Sequence, residues 1–108
     1  PVLQGLSFHA GKPILAGLGN LVFHTRRGDT YRREGVDVFR GAVVRARFAA
    51  DGAFERLSVL PVAVPEEAAD GPSPAPVPLS GHDAEAIMER IAGRLDAAER
   101  ALVELMEG

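Results

Sequence analysis

The chain has 108 residues, 46% of them hydrophobic and 25% charged, and no cysteine. That is the make-up of one modest globular domain or part of one, and it excludes wholesale disorder, a disulfide framework, a thiolate metal site and a cysteine nucleophile. The net charge of −3 hides an asymmetry: residues 1–64 carry nine basic and five acidic side chains, residues 65–108 three and ten.

No apolar run approaches the roughly 20 residues of a spanning helix, and no basic, apolar and small-residue succession marks a signal peptide. The sequence opens on Pro1 rather than Met. Either the true N-terminus is processed away or the sequence is an excerpt from a longer protein; we expect the second, on the resemblance described below, with any leader or anchor in the earlier part.

In chain order, Leu3 to His9 alternates in part between apolar and polar residues. Gly11-Lys12-Pro13 is a turn signal, and the apolar run Ile14 to Leu18 follows, which predicts two short strands. Gly17, Gly19 and Asn20 interrupt the apolar sequence before Leu21-Val22-Phe23 resumes it. The pattern predicts a strand, a tight backbone feature and a second extended piece.

Thr25 to Arg40 is polar and arginine-rich, with no sustained period, and reads as a surface loop. Ala42 to Phe48 alternates again, Val44, Ala46 and Phe48 on one face and Arg45 and Arg47 on the other. Such a run is a half-buried antiparallel strand. Asp51-Gly52 predicts the turn, and Phe54 to Val64 the returning strand. Pro61 cannot donate to a ladder, so this stretch is expected at a sheet edge or a bulge.

Pro65 to Ser80 contains five prolines, at 65, 72, 74, 76 and 78, and reads as an extended, exposed linker. Ser80 and Asp83 suggest a capping box opening one amphipathic helix over residues 81–108. Its apolar stripe is Ile87, Ile91, Leu95, Ala98, Leu102 and Leu105. Gly93 weakens that helix by about 1 kcal/mol relative to Ala, so it is expected to form only when packed. The fold class expected is therefore α+β, an antiparallel hairpin of strands and a C-terminal helix, divided as 1–64, 65–80 and 81–108.

Leu3-Gln4-Gly5-Leu6, Gly11-Lys12-Pro13-Ile14 and Gly17-Leu18-Gly19-Asn20-Leu21-Val22-Phe23 together resemble a stretch near the C-terminal end of CapA-like capsule, or poly-γ-glutamate, synthesis proteins. There a segment of the form HVLQGIExYxGKPI runs into YSLGNFVF. The spacing matches without a gap from Leu3 to Phe23. Arg56 to Val64 resembles the family's later VxLxPVxI strand, and the closing segment its last helix. Ala16 stands where the family usually has Tyr, Gly17 where Ser is common, Leu21 for Phe and His24 for a frequent acid.

The resemblance implies that this chain is the terminal portion of a larger α/β, calcineurin-like metallophosphatase sandwich. In such a sandwich Asp, Asn and His ligands hold a pair of divalent metals that clamp the attacking and leaving oxygens of a phosphoryl displacement. The family's last ligands lie just before the equivalent of Leu3, so no catalytic residue and no metal ligand is assigned here, and the chain alone is expected to be inactive. The family also implies the cell envelope or a membrane-associated setting, and the upstream part of the same domain as a partner.

Gly19, Asn20 and His24 are the candidates for a substrate or site loop. Gly17-Leu18-Gly19-Asn20 lacks the Lys-Ser/Thr of a P-loop and the third Gly of a dinucleotide fold. It therefore reads first as a backbone device, with Gly19 taking an unusual angle and Asn20 satisfying nearby backbone groups. His9, His24 and His82 lack the spacing that puts two imidazoles on one ion.

Arg26, Arg27, Arg32, Arg33 and Arg40 make the loop basic. They suit an anionic polymer or a phosphate-bearing substrate, but nucleic acid needs a larger unbroken positive field than this acidic protein offers. The alternative function is a non-catalytic, β-rich binding or accessory module of a polymer-synthesis complex.

Overall fold

Ala10 and Gly11 both occupy the left-handed region, at φ 52° and 75°, the twist that a two-residue hairpin turn requires. In the computed structural model, which describes residues 2–21, 28–64 and 75–107, they join β1 (Leu6–His9) to β2 (Lys12–Leu15). His9 lies opposite Lys12 and Leu6 opposite Leu15. The turn thus falls earlier than Gly11-Lys12-Pro13, and Lys12 and Pro13 belong to the second strand. Pro13 fits because β2 pairs with β1 on one side only, so the missing N–H points away from the ladder.

The arginine-rich stretch is not wholly loop. Gly28–Arg33 forms a short helix, α1. Gly35, at φ 70°, ends it: its N–H bonds Arg32 O at 3.1 Å while Val36 N bonds Tyr31 O at 2.9 Å. This is the paired closure that a left-handed glycine allows. Arg32 stacks over the Phe39 ring at 5.3 Å, and the Arg40 guanidinium donates to Phe39 O at 3.1 Å, so part of the basic segment is engaged in local structure.

β3 (Arg40–Phe48) and β4 (Phe54–Ala63) form the long antiparallel pair. Between them Asp51 Oδ1 accepts from Ala53 N at 2.9 Å, and Gly52 takes φ 88°. The register shifts once, next to Arg47 and Phe48, where Glu55 is the extra residue on β4.

β4 is the central strand rather than an edge. On its far side β5 (Val77–Pro78) pairs antiparallel with Val62 and Ala63, and β6 (Val103–Leu105) pairs parallel with Leu57, Ser58 and Val59. Pro61 is nearly fully buried yet tolerated, because it falls between these two partial partners. Its carbonyl still accepts from Leu79 N at 2.9 Å. The expectation of an edge strand is corrected: the accommodation is local to one side of one residue.

Residues 65–74 of the proline-rich stretch lie outside the described residues, and its later part is not only linker, since Val77 and Pro78 add to the sheet. The single closing helix is also corrected. α2 runs only over Gly81–Ala92. Ser80 precedes it without a side-chain capping bond. The chain then turns at Gly93, makes the short α3 (Ala97–Arg100) and ends as β6. The capping box belongs to α3: Asp96 Oδ1 accepts from Glu99 N at 2.8 Å and Glu99 Oε1 from Asp96 N at 3.2 Å. The parallel β4 and β6 with α2 between them make a βαβ-like crossover.

α2 lays Ala84, Ile87, Met88, Ile91 and Ala92 against the sheet. With Leu3, Leu6, Leu57, Val59 and Val103 they form the core, each large side chain contributing about 1.5–3 kcal/mol of burial. The fold is α+β, as expected.

Candidate functional site

Residues 17–20 lie where the β1–β2 hairpin joins the main sheet. Gln4 N bonds Gly17 O at 2.9 Å and Leu3 bridges Leu18, which extends the β1–β2 ladder. Leu18 O then accepts from Ala42 N at 2.9 Å, and Gly19 bridges Gly41 on β3. The segment fastens the hairpin to the main sheet.

The glycines are required by this crossing. Gly19 takes φ 75°, and a Cβ on it would press into Arg40 O and the Gly41 Cα. A Cβ on Gly41 would press into the Asn20 carbonyl, and one on Gly17 would stand 2.7 Å from Val2 O. Backbones approach too closely here for any side chain.

Asn20 is buried, and its Nδ2 donates to Val38 O at 3.0 Å. The amide therefore holds the chain that leads into β3 rather than facing solvent. Of the three site-loop candidates, Gly19 and Asn20 are brought together at this crossing, and His24 lies outside the described residues. His9 and His82 are exposed, at the end of β1 and the start of α2.

A second polar constellation spans the sheet's outer face. Ser58 Oγ donates to Glu104 Oε1 at 2.6 Å, and Arg56 Nη1 donates to Glu104 Oε2 at 3.1 Å. The Ser58 hydroxyl holds the Glu104 carboxyl below the usual carboxylate range; partial burial opposes this and Arg56 assists it. Arg47 pairs with Glu55 at 2.9 Å, and Arg45 Nη2 lies 3.6 Å from the Met106 sulfur. Sequence reading missed this group. The alternation of Arg45 and Arg47 was visible, but Ser58 and Glu104 stand 46 residues apart and meet only through the parallel β4–β6 pairing.

A third contact ties α2 to the start of the chain and to the segment that leads into β3. Arg90 on α2 donates to Asp37 at 3.0 Å and to Leu3 O at 3.1 Å.

Among the described residues no group of three or more His, Cys, Asp or Glu side chains is placed to hold a metal ion. No helix among them is long and apolar enough to cross a membrane. The arrangement defines a two-layer α+β unit whose glycine-rich crossing is closed by backbone contacts. Comparison with protein-family models, with curated proteins and with solved structures finds no match for the chain.

Proposed function

We propose that this chain is the closing, C-terminal part of a CapA-like protein of capsule or poly-γ-glutamate synthesis, whose complete form is a metal-dependent, phosphatase-like hydrolase. The observation that carries the reading is the ungapped run from Leu3 through Gly11-Lys12-Pro13-Ile14 to Gly19-Asn20 and Phe23. Its support within the fold is that Gly19 and Asn20 occupy a crossing where both residue types have a physical reason to be present. In this reading the upstream part of the same domain supplies the ligands of a divalent metal pair, and an anionic polymer or phosphate-bearing compound is the substrate. The cell envelope is the setting.

The test compares the isolated chain with a version extended upstream. The isolated chain is expected to bind no stoichiometric Mn²⁺ or Zn²⁺ by calorimetry and to leave p-nitrophenyl phosphate intact, while the extended protein does both. Tight stoichiometric metal binding by residues 1–108 alone would refute the assignment of ligands upstream.

A second reading, a non-catalytic accessory module of a polymer-synthesis complex, is favoured by the continuous core in which Leu57 and Val59 are 0% exposed. A start codon immediately before the Pro1 codon, together with cooperative melting of the isolated chain, would make it the better reading.

A further inference from the structure

Among the described residues, the β3 edge of the main sheet is open along most of its length, and the two faces beside it differ in chemistry. β3 is outermost. Among the described residues, Leu18 and Gly19 cover only its beginning, where Ala42 N bonds Leu18 O at 2.9 Å. In an antiparallel strand the N–H and C=O of one residue point to the same side and the direction alternates along the chain. Ala42, Val44, Ala46 and Phe48 therefore direct their backbone groups outward, and Val43, Arg45 and Arg47 direct theirs to β4. The neighbouring strand agrees, since Leu57 N, Val59 O and Pro61 O all bond on the side away from β3. Among the described residues, no backbone group bonds the outward side of Val44, Ala46 and Phe48.

Beside this row of free backbone groups, one sheet face is apolar. Phe48 is 56% exposed and meets Phe54 edge-on at 5.9 Å, with exposed Ala46 next along the strand. The other face is basic: Arg45 and Arg47 are exposed on β3, and Arg56 is half-exposed on β4. Arg47 and Arg56 each meet one carboxylate, whereas Arg45 meets the Met106 sulfur.

We propose that the Val44–Phe48 edge binds an extended polypeptide segment in which acidic and apolar side chains alternate, added as a further strand. Main-chain bonds to Val44, Ala46 and Phe48 would hold it, and alternation would sort its side chains. Carboxylates fall beside Arg45 and Arg47, and apolar groups beside Ala46 and Phe48. A second copy of the chain is the wrong occupant, because antiparallel pairing of Val44–Phe48 with itself sets Arg45 opposite Arg47 twice, and like charges directly opposite are unfavourable. In the CapA-like reading upstream polypeptide of the same domain competes for this edge, so peptide binding by the isolated chain that is lost in the upstream-extended protein would assign the edge to that polypeptide and overturn the proposal.

The test measures binding of a fluorescent peptide of alternating Glu and Val, with a Lys and Val peptide as control, by anisotropy at low and high salt. The Glu peptide is expected to bind at least about tenfold more tightly than the Lys peptide, with affinity falling as salt rises. It should slow hydrogen exchange at the Val44, Ala46 and Phe48 amides. Ala46→Pro removes an outward N–H without removing a bond to β4, and should abolish binding while the melting midpoint holds. If that variant fails to fold, the double variant Arg45→Glu and Arg47→Glu serves instead, and should reverse the preference toward the Lys peptide. Equal binding of both peptides, no binding, or exchange protection confined to other strands would overturn the proposal. So would a dimer that Ala46→Pro dissociates, which would give the edge to a second copy.

Discussion

At Gly19 the backbone requirement and the packing requirement coincide. The left-handed φ of 75° disfavours any Cβ, and the space a Cβ would take is filled by Arg40 and Gly41 backbone. Gly52 separates the two effects, because it is also left-handed, at φ 88°, but has nothing within 4 Å of its would-be Cβ. Gly52→Ala is expected to cost about 1 kcal/mol, the conformational term alone. Gly19→Ala should cost on the order of 3 kcal/mol, strain and displaced backbone together, as read from urea unfolding midpoints. Equal losses would show that the crossing yields easily.

The Glu104 carboxyl gives a second residue-scale prediction. The Ser58 hydroxyl, and then Arg56 against the pull of burial, lower its folded pKa below the unfolded value. A depressed carboxyl pKa adds stability that is complete above the unfolded value and is lost as pH falls through the folded one. Acidification through and below the ordinary carboxylate range should therefore lower the melting midpoint. Ser58→Ala should flatten part of that acid limb, and Glu104→Gln should remove this residue's share. An unchanged acid limb in both variants would assign the loss to other carboxylates.

Among the elements, the last 28 residues show how local signals compete. The apolar spacing from Ile87 to Leu105 continues a helical period, yet the helix stops at Ala92. Gly93 lowers helix propensity, Asp96 and Glu99 open a new turn with reciprocal capping bonds, and β4 offers Leu57, Ser58 and Val59 for parallel pairing. Three ladder partners and a buried Val103 outweigh the remaining turns of an exposed helix. Asp96→Ala should therefore cost about 1 kcal/mol, whereas Ser80→Ala should stay within about 0.5 kcal/mol because its hydroxyl makes no capping bond. Chemical denaturation of both variants distinguishes them. A larger loss at Ser80 would restore the capping role read from the sequence.

For the whole molecule, stability is concentrated where β4 meets α2 and β6. Leu57 is 0% exposed and belongs to the cluster formed by Leu3, Leu6, Ile87, Met88, Ile91 and Val103. Leu57→Ala is expected to cost about 3 kcal/mol, a large share of the roughly 5–15 kcal/mol available to a domain of this size. The calorimetric melting midpoint should fall correspondingly. A small shift would mean that the chain has no cooperative core of its own, and that its sheet is completed by other polypeptide.

Alternation marked the strand over Ala42–Phe48 and separated Val44, Ala46 and Phe48 from Arg45 and Arg47, because a period of two is a property of the extended backbone, and the returning strand from Phe54 followed. Asp51-Gly52 likewise located their turn, and the α+β class followed. The special character of Gly19 and Asn20 was also legible, since a glycine before an asparagine inside an apolar run has few other uses. The tertiary structure decided what those residues touch: Gly41 and Val38 are distant in sequence, and no local pattern names them. It also decided that Pro61 sits in a central strand, that Val103–Leu105 is a strand rather than helix, and that Ser58 and Glu104 meet. Each of these depends on pairing between segments far apart in the chain, where the gain from ladder bonds and burial overrides a local preference of about 1 kcal/mol or less per residue.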